Sequence, residues 1–144
     1  MENDNTLKLE NQLCFSIYAA SRAITKIYRP FLDALGLTYP QYLVMLVLWE
    51  NNTITLKEVG NKLYLDSGTL TPLLKRLEHM ELIKRERSME DERLLCLSIT
   101  QKGLDMKSEA IKVPGCIVGC LNMDMESLVT LKSDMDKFLL DMKK

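Results

Sequence analysis

Asp66-Ser67-Gly68-Thr69-Leu70-Thr71-Pro72-Leu73-Leu74-Lys75-Arg76-Leu77 is the stretch from which the rest of this chain can be read. Asp66 and Ser67 carry side-chain oxygens that can accept the unpaired backbone N–H groups of a first helical turn. Leu70, Leu73, Leu74 and Leu77 then recur at helical spacing and predict a helix with one buried apolar face. The opposite face holds Ser67, Gly68, Thr69, Thr71, Pro72, Lys75 and Arg76. Small hydroxyl and basic groups of this kind can approach phosphates and base edges without a steric barrier. An ordinary amphipathic surface helix leaves a similar pattern, so the neighbouring segments have to decide between the two.

Upstream, Thr55-Leu56-Lys57-Glu58 is a capping box that starts a short helix running through Gly60 towards Leu65. The turn over Tyr64 to Asp66 is brief, as a helix-turn-helix requires. Downstream, Leu82 to Arg87 and Leu94 to Ile99 are two strand-like runs separated by the charged tip Ser88-Met89-Glu90-Asp91-Glu92-Arg93. Leu95, Leu97 and Ile99 alternate with Cys96 and Ser98, the period of a half-buried strand. The expected fold is therefore mainly α with a small β-hairpin wing, a winged helix-turn-helix. In that setting Ser67, Gly68, Thr69, Thr71, Lys75 and Arg76 are candidate contacts to double-stranded DNA from the helix, and Arg87, Asp91 and Arg93 from the wing. Arg93 can enter a narrow minor groove, where negative potential is concentrated, while Asp91 holds its guanidinium. Taken alone, the acidic and basic residues at the tip also fit a solvated hairpin end.

The 144 residues amount to about one domain. An apolar content of 47% supplies a core and argues against disorder. With 19 basic and 20 acidic side chains there is no global basic signature, so any charge directed at nucleic acid must be local. Lys75 to Arg87 carries five basic against three acidic residues, a modest bias. No apolar run approaches the ~18 residues that cross a bilayer, and the polar start MENDNTLKLENQ is unlike a signal peptide, so a cytoplasmic protein with no membrane partner is expected. In that compartment Cys14, Cys96, Cys116 and Cys120 are held reduced at rest. Cys116 and Cys120 form the single close pair, C-x3-C with no second pair, and His79 falls on a different helix, so neither a zinc site nor any other cofactor is expected.

Thr6 to Ala34 has helical periodicity, with Pro30 expected to kink or divide it and Gly36 to follow as a terminator. Thr38-Tyr39-Pro40-Gln41 opens the next helix, and Tyr42 to Trp49 is apolar on all sides, the pattern of a buried core helix. Thr100 caps a later helix that should break at Val113-Pro114-Gly115 and resume at Cys116. A last helix, capped near Asn122 or Asp124, aligns Leu128, Leu131, Met135, Phe138, Leu139 and Met142. Both ends of the chain thus have more apolar helix face than a winged domain needs. Residues 1–36 and 101–144 are read as dimerisation helices around a winged domain over 37–100, all one continuous structural unit, and the product is a homodimer. Its two-fold symmetry calls for a pseudo-palindromic operator.

The order of elements, with Asp91-Glu92-Arg93 at the wing tip, resembles the multiple antibiotic resistance regulator (MarR) family. Leu13-Cys14-Phe15, Leu37-Thr38-Tyr39-Pro40-Gln41-Tyr42 and the block from Leu63 to Leu77 are similar to its organic hydroperoxide resistance (OhrR) branch. The resemblance covers almost the whole chain. It implies a homodimeric repressor, not an enzyme, whose N-terminal cysteine, here Cys14, is oxidised by organic hydroperoxides and releases DNA. A sensing thiol must be partly thiolate and reachable, and nearby tyrosine hydroxyls can donate hydrogen bonds to it. Tyr18, Tyr28 and Tyr39 are candidates. Tyr28 lies fourteen residues beyond Cys14, about 21 Å along a continuous helix, so Tyr28 and Tyr39 would have to come from the other subunit. Some family members have a resolving cysteine after the wing, and Cys116, with Cys120 second, is expected to fill that role. Two other classes stay open: a regulator of this fold answering to a small phenolic ligand, and a thiol redox enzyme, against which the lack of a C-x-x-C pair counts.

Overall fold

Thr38 caps the helix on which the rest is assembled. Its side chain accepts the Gln41 N–H, its own N–H donates to Gln41 Oε1 at 2.9 Å, and Pro40 sits in the first turn where no N–H is needed. In the computed structural model, which describes residues 2–143 (the side chains of Glu2 and Asn3 excepted), this helix is α3, Tyr39–Asn51. Tyr42, Val44, Met45, Val47, Leu48 and Trp49 are all buried along it. Leu46 is exposed and Leu43 half-buried, so the run is a core helix with one open edge rather than an enclosed rod.

Ahead of α3 lie α1 (Glu2–Thr6), a 3-10 turn (Leu9–Asn11) and α2 (Leu13–Asp33). After it come β1 (Thr53–Thr55), α4 (Leu56–Leu63), α5 (Ser67–His79), β2 (Ile83–Arg87), β3 (Leu95–Ile99), α6 (Gln101–Ala110), α7 (Val113–Cys120) and α8 (Met125–Met142). Two compact units divide after Val113. The first holds the winged helix-turn-helix together with α2 and α6. In the second, α8 is capped by Asp124, whose carboxylate accepts the Ser127 N–H at 2.7 Å, and it buries none of its side chains. Leu131, Phe138 and Met142 are exposed on it.

Three sequence expectations are corrected. Thr6 to Ala34 is not one helix. Gln12 Nε2 donates to the carbonyls of Thr6 and Lys8, which ties the chain into a separate turn and delays α2 until Leu13. Pro30 does not divide α2, which continues to Asp33: one hydrogen bond is lost near the end, while buried Leu32 anchors the last turn and Gly36, φ 71°, reverses the chain beyond it. The helix after α6 resumes at Val113, not at Cys116, because Pro114 falls in a first turn whose N–H groups have no intrahelical acceptor.

The sheet has the order β1-β3-β2, all antiparallel, with Ile54 opposite Leu97 and Arg85 opposite Leu97 on the other side. Strand β1 is an addition to the expected hairpin. It makes β3 the central strand, which is why Cys96 and Ser98 are half-buried instead of facing open solvent. Helix α6 closes against this sheet through Gly103. The Gly103 carbonyl accepts the buried Trp49 Nε1 at 2.8 Å, and a Cβ added to Gly103 would lie 2.5 Å from the Leu82 carbonyl oxygen and 2.7 Å from Ile99 Cγ1. The Leu82 obstacle is backbone and cannot rotate away. Gly103→Ala should therefore lower unfolding free energy by about 2–3 kcal/mol. A urea midpoint equal to that of the parent would show that α6 is not held as closely as described.

Candidate nucleic-acid interface and thiol site

Helix α5 forms because its cap and its apolar face agree. Asp66 accepts the Thr69 N–H at 2.7 Å, and this bond holds the Asp66 carboxyl below the usual carboxylate range. Leu70, Leu74 and Leu77 are fully buried, while Leu73 is half-buried at the edge of the stripe. Ser67, Gly68, Thr69, Lys75 and Arg76 are exposed together on the far side. Thr71 is partly buried, and its hydroxyl donates to the Ser67 carbonyl at 2.7 Å, so it can offer an approaching phosphate little more than a lone pair. The preceding turn depends on Tyr64, which closes α4 in the left-handed region at φ 58°, and on the Leu65 N–H, which donates to the Gly60 carbonyl.

In the wing, Ser88 Oγ accepts the Glu90 and Asp91 N–H groups, which fixes the tip. Asp91 then accepts the Arg93 N–H at 3.0 Å and both Arg93 Nε, at 3.1 Å, and a terminal guanidinium nitrogen, at 3.3 Å. This fork lowers the Asp91 pKa, chiefly through the side-chain hydrogen bonds from Arg93. Arg93 is nevertheless 90% exposed, so the pairing aims a guanidinium outward and adds little to stability. Arg87 is exposed at the end of β2.

A second fork escaped the sequence reading. Arg85 Nε and a terminal nitrogen donate to the two Glu78 carboxylate oxygens at 3.2 and 3.0 Å, joining the last turn of α5 to β2. The hydrogen bond from Arg85 holds the Glu78 pKa down. A spacing of seven residues across a helix end and a strand has no fixed period to reveal it.

The thiol residues fall into separate groups. Cys14 is exposed in the first turn of α2, and Tyr18, one turn on, is exposed with the Arg22 guanidinium 5.5 Å from its ring centre. Tyr28 packs elsewhere: its ring centre is 4.8 Å from that of Tyr39 and 5.7 Å from that of Tyr42. Burial first, then the neighbouring Tyr39 and Tyr42 oxygens, push the Tyr28 hydroxyl up to about 12, so it keeps its proton and remains a donor. Burial raises Tyr39 as well. Tyr42, the third member, reads from the sequence only as a core residue, because its place in the apolar run hides its hydroxyl. Cys116 and Cys120 are exposed on α7, and Cys96 is half-buried on β3; all four thiols are free.

Residues 26–110 match the model of a family described as transcriptional regulator SarA/Rot. A curated relative, the organic hydroperoxide resistance transcriptional regulator of Bacillus subtilis, is 54% identical over 92% of this chain and 91% of its own. The chain belongs to this family of MarR-like regulators, in the hydroperoxide-resistance branch. Among solved structures, AbfR of Staphylococcus epidermidis is similar in three states: reduced on DNA, overoxidized on DNA, and with its disulfide formed. Overoxidized AbfR bound to DNA is 40% identical, with a TM-score of 0.74 over 96% of this chain and 99% of that one. Disulfide-formed AbfR is 39% identical, with a TM-score of 0.62 over 99% and 94%. The winged helix-turn-helix expected from α4, α5 and the hairpin is the fold these regulators share.

The candidate sensor Cys14 and the hydroxyl cluster of Tyr28 and Tyr39 sit towards opposite ends of α2. Beside that cluster a cleft of about 760 Å³ opens between α2 and the start of α3, lined by Arg22, Lys26, Arg29, Thr38 and Tyr39 among others. No group of three or more His, Cys, Asp or Glu side chains able to hold a metal occurs among the described residues.

Proposed function

We propose that this chain is a homodimeric transcriptional repressor that binds a pseudo-palindromic operator through α5 and the wing and leaves it when Cys14 is oxidised by an organic hydroperoxide. The observation that carries this reading is the separation of an exposed thiol from the tyrosine donors that would hold its thiolate ready. Two copies related by a two-fold axis supply each Cys14 with the partner subunit's Tyr28 and Tyr39, so the sensor is built at the interface. The hydroperoxide relative and the DNA-bound state of AbfR support the same assignment. The α2, α7 and α8 faces form the dimer, the work is stoichiometric and not catalytic turnover, and the site is cytoplasmic. No described helix is long and apolar enough to cross a membrane.

The chemistry balances without a cofactor. The Cys14 thiolate attacks the peroxide oxygen and becomes a sulfenic acid while the alcohol leaves. A second thiol then condenses with it, forming the disulfide and releasing water. AbfR on DNA in an overoxidized form, against a separate disulfide form, favours the disulfide as the releasing state. Cys116 of the partner subunit is the resolving thiol in this scheme, with Cys120 second. One equivalent of cumene hydroperoxide should give a covalent dimer on non-reducing electrophoresis that Cys14→Ser abolishes and Cys116→Ser depletes. A band lost in Cys120→Ser and kept in Cys116→Ser would reverse the ranking. The overall reading is tested by titrating purified protein on its own promoter with and without one equivalent of hydroperoxide; retention of the complex by parent protein oxidised to the disulfide would sink it.

A further inference from the structure

The pairing of β2 with β3 carries on past the last residues of the two strands. Arg85 stands opposite Leu97 and Arg87 opposite Leu95, and the Ser88 N–H then donates to the Leu94 carbonyl at 2.8 Å. Continued outward, the same register sets Met89 opposite Arg93 and Glu90 opposite Glu92, with Asp91 at the apex. Alternation places Met89 and Arg93 on the face of Arg85 and Arg87, from which Arg85 reaches Glu78 of α5. The two glutamates fall on the other face. Met89 is fully exposed, although the turn that carries it is pinned by Ser88 Oγ, which accepts the Glu90 and Asp91 N–H groups.

What covers this methionine follows from the surface it continues. Its neighbour across the tip is the outward guanidinium of Arg93, and its face of the hairpin is the one tied to the reading helix. Glu90 and Glu92 are both exposed, so phosphates repel the opposite face, and the tip can enter a groove only with the Met89 face leading. The occupant is DNA.

We propose that Met89 lies in the minor groove beside Arg93 and makes the wing discriminate against G·C pairs. The inference rests on the proposed contact between wing and operator. The floor of that groove carries only acceptors at an A·T pair, whereas a G·C pair adds the 2-amino donor of guanine. The Arg93 guanidinium has donors for the acceptors and nothing with which to accept, and a thioether is a weak acceptor at best. Neither side chain can therefore satisfy the 2-amino group. Water could, but the unbranched Met89 side chain fills the space beside the guanidinium and excludes it, leaving a buried donor unpaired. Arg93 reads the potential of the groove, and Met89 turns the composition of its floor into a penalty.

The test uses reduced full-length protein without hydroperoxide, so its outcome is independent of whether Cys14 senses peroxide. Gel-shift titrations compare operators whose pairs under the wing, located by hydroxyl-radical footprinting, are A·T, G·C or inosine·C, the last lacking only the 2-amino group. The parent should bind the inosine operator about tenfold more tightly than the G·C one. Met89→Ala should lower affinity for the A·T operator about tenfold and bring the inosine to G·C ratio within about threefold of unity. Its salt dependence should match the parent's, since a thioether displaces no counterion. Met89→Gln, whose amide oxygen can accept from the 2-amino group, should lower the ratio or invert it. A parent-like ratio in Met89→Ala, or equal affinity of the parent for the inosine and G·C operators, would overturn the inference. Arg93→Ala in the same series keeps the two readings apart. If it weakens binding while Met89→Ala does not, this inference falls alone; if neither does, the wing stays off the duplex and both fall.

Discussion

Cys14→Ser should bind its operator as tightly as the parent and stay bound at a hydroperoxide dose that releases the parent completely. The exchange of sulfur for oxygen keeps the size of the side chain and removes the nucleophile. Because Cys14 is exposed in the first turn of α2, no core packing is lost, and melting should be nearly unchanged. The shift in the dose needed for half release should exceed about a hundredfold, since no other thiol sits on this helix. Tyr28→Phe and Tyr39→Phe should give a smaller effect of the same sign: slower oxidation at an unchanged final level. Release of the serine variant at the parent's dose would take Cys14 out of the mechanism, whatever its position suggests.

Arg93→Ala is expected to cost about tenfold in operator affinity for each half-site, and so roughly a hundredfold for the dimer, in a gel-shift titration at fixed salt. The guanidinium is already aimed outward by Asp91, so little ordering remains to be done when it enters a groove. Lys75→Ala supplies the contrast. It should weaken binding to any sequence alike and flatten the dependence on salt by about one phosphate contact per copy. Arg93→Ala should instead reduce the preference for operator over unrelated DNA. Operator affinity equal to the parent's in Arg93→Ala would mean that the wing stays clear of the duplex.

The parts of this molecule that the sequence made legible are those governed by short-range rules. The caps at Thr38, Thr55, Asp66 and Thr100 each needed only the residue three positions on, and all four hydrogen bonds are present. The Asp91–Arg93 fork was readable because its partners are two residues apart. What stayed hidden depends on residues that meet from afar. Strand β1 is three residues long and has no period of its own; it exists because β3 offers it an edge. The break at Gln12 comes from side-chain bonds to carbonyls four and six residues back, which interrupt an otherwise helical pattern. Tyr42 was concealed by its apolar neighbours, although its ring completes the cluster that raises the Tyr28 hydroxyl.

The Glu78–Arg85 fork has a bearing on how such a protein could be switched at all. By tying the end of α5 to β2, it couples the reading helix to the base of the wing, so that the two move together as one reading head. In the proposed dimer, the quantity left for a signal to adjust is the gauge between the two heads, as on a rail vehicle whose wheels are fast on their axle. An error of a few ångströms in that gauge leaves each head able to fit its own half-site while the pair can no longer seat on both at once.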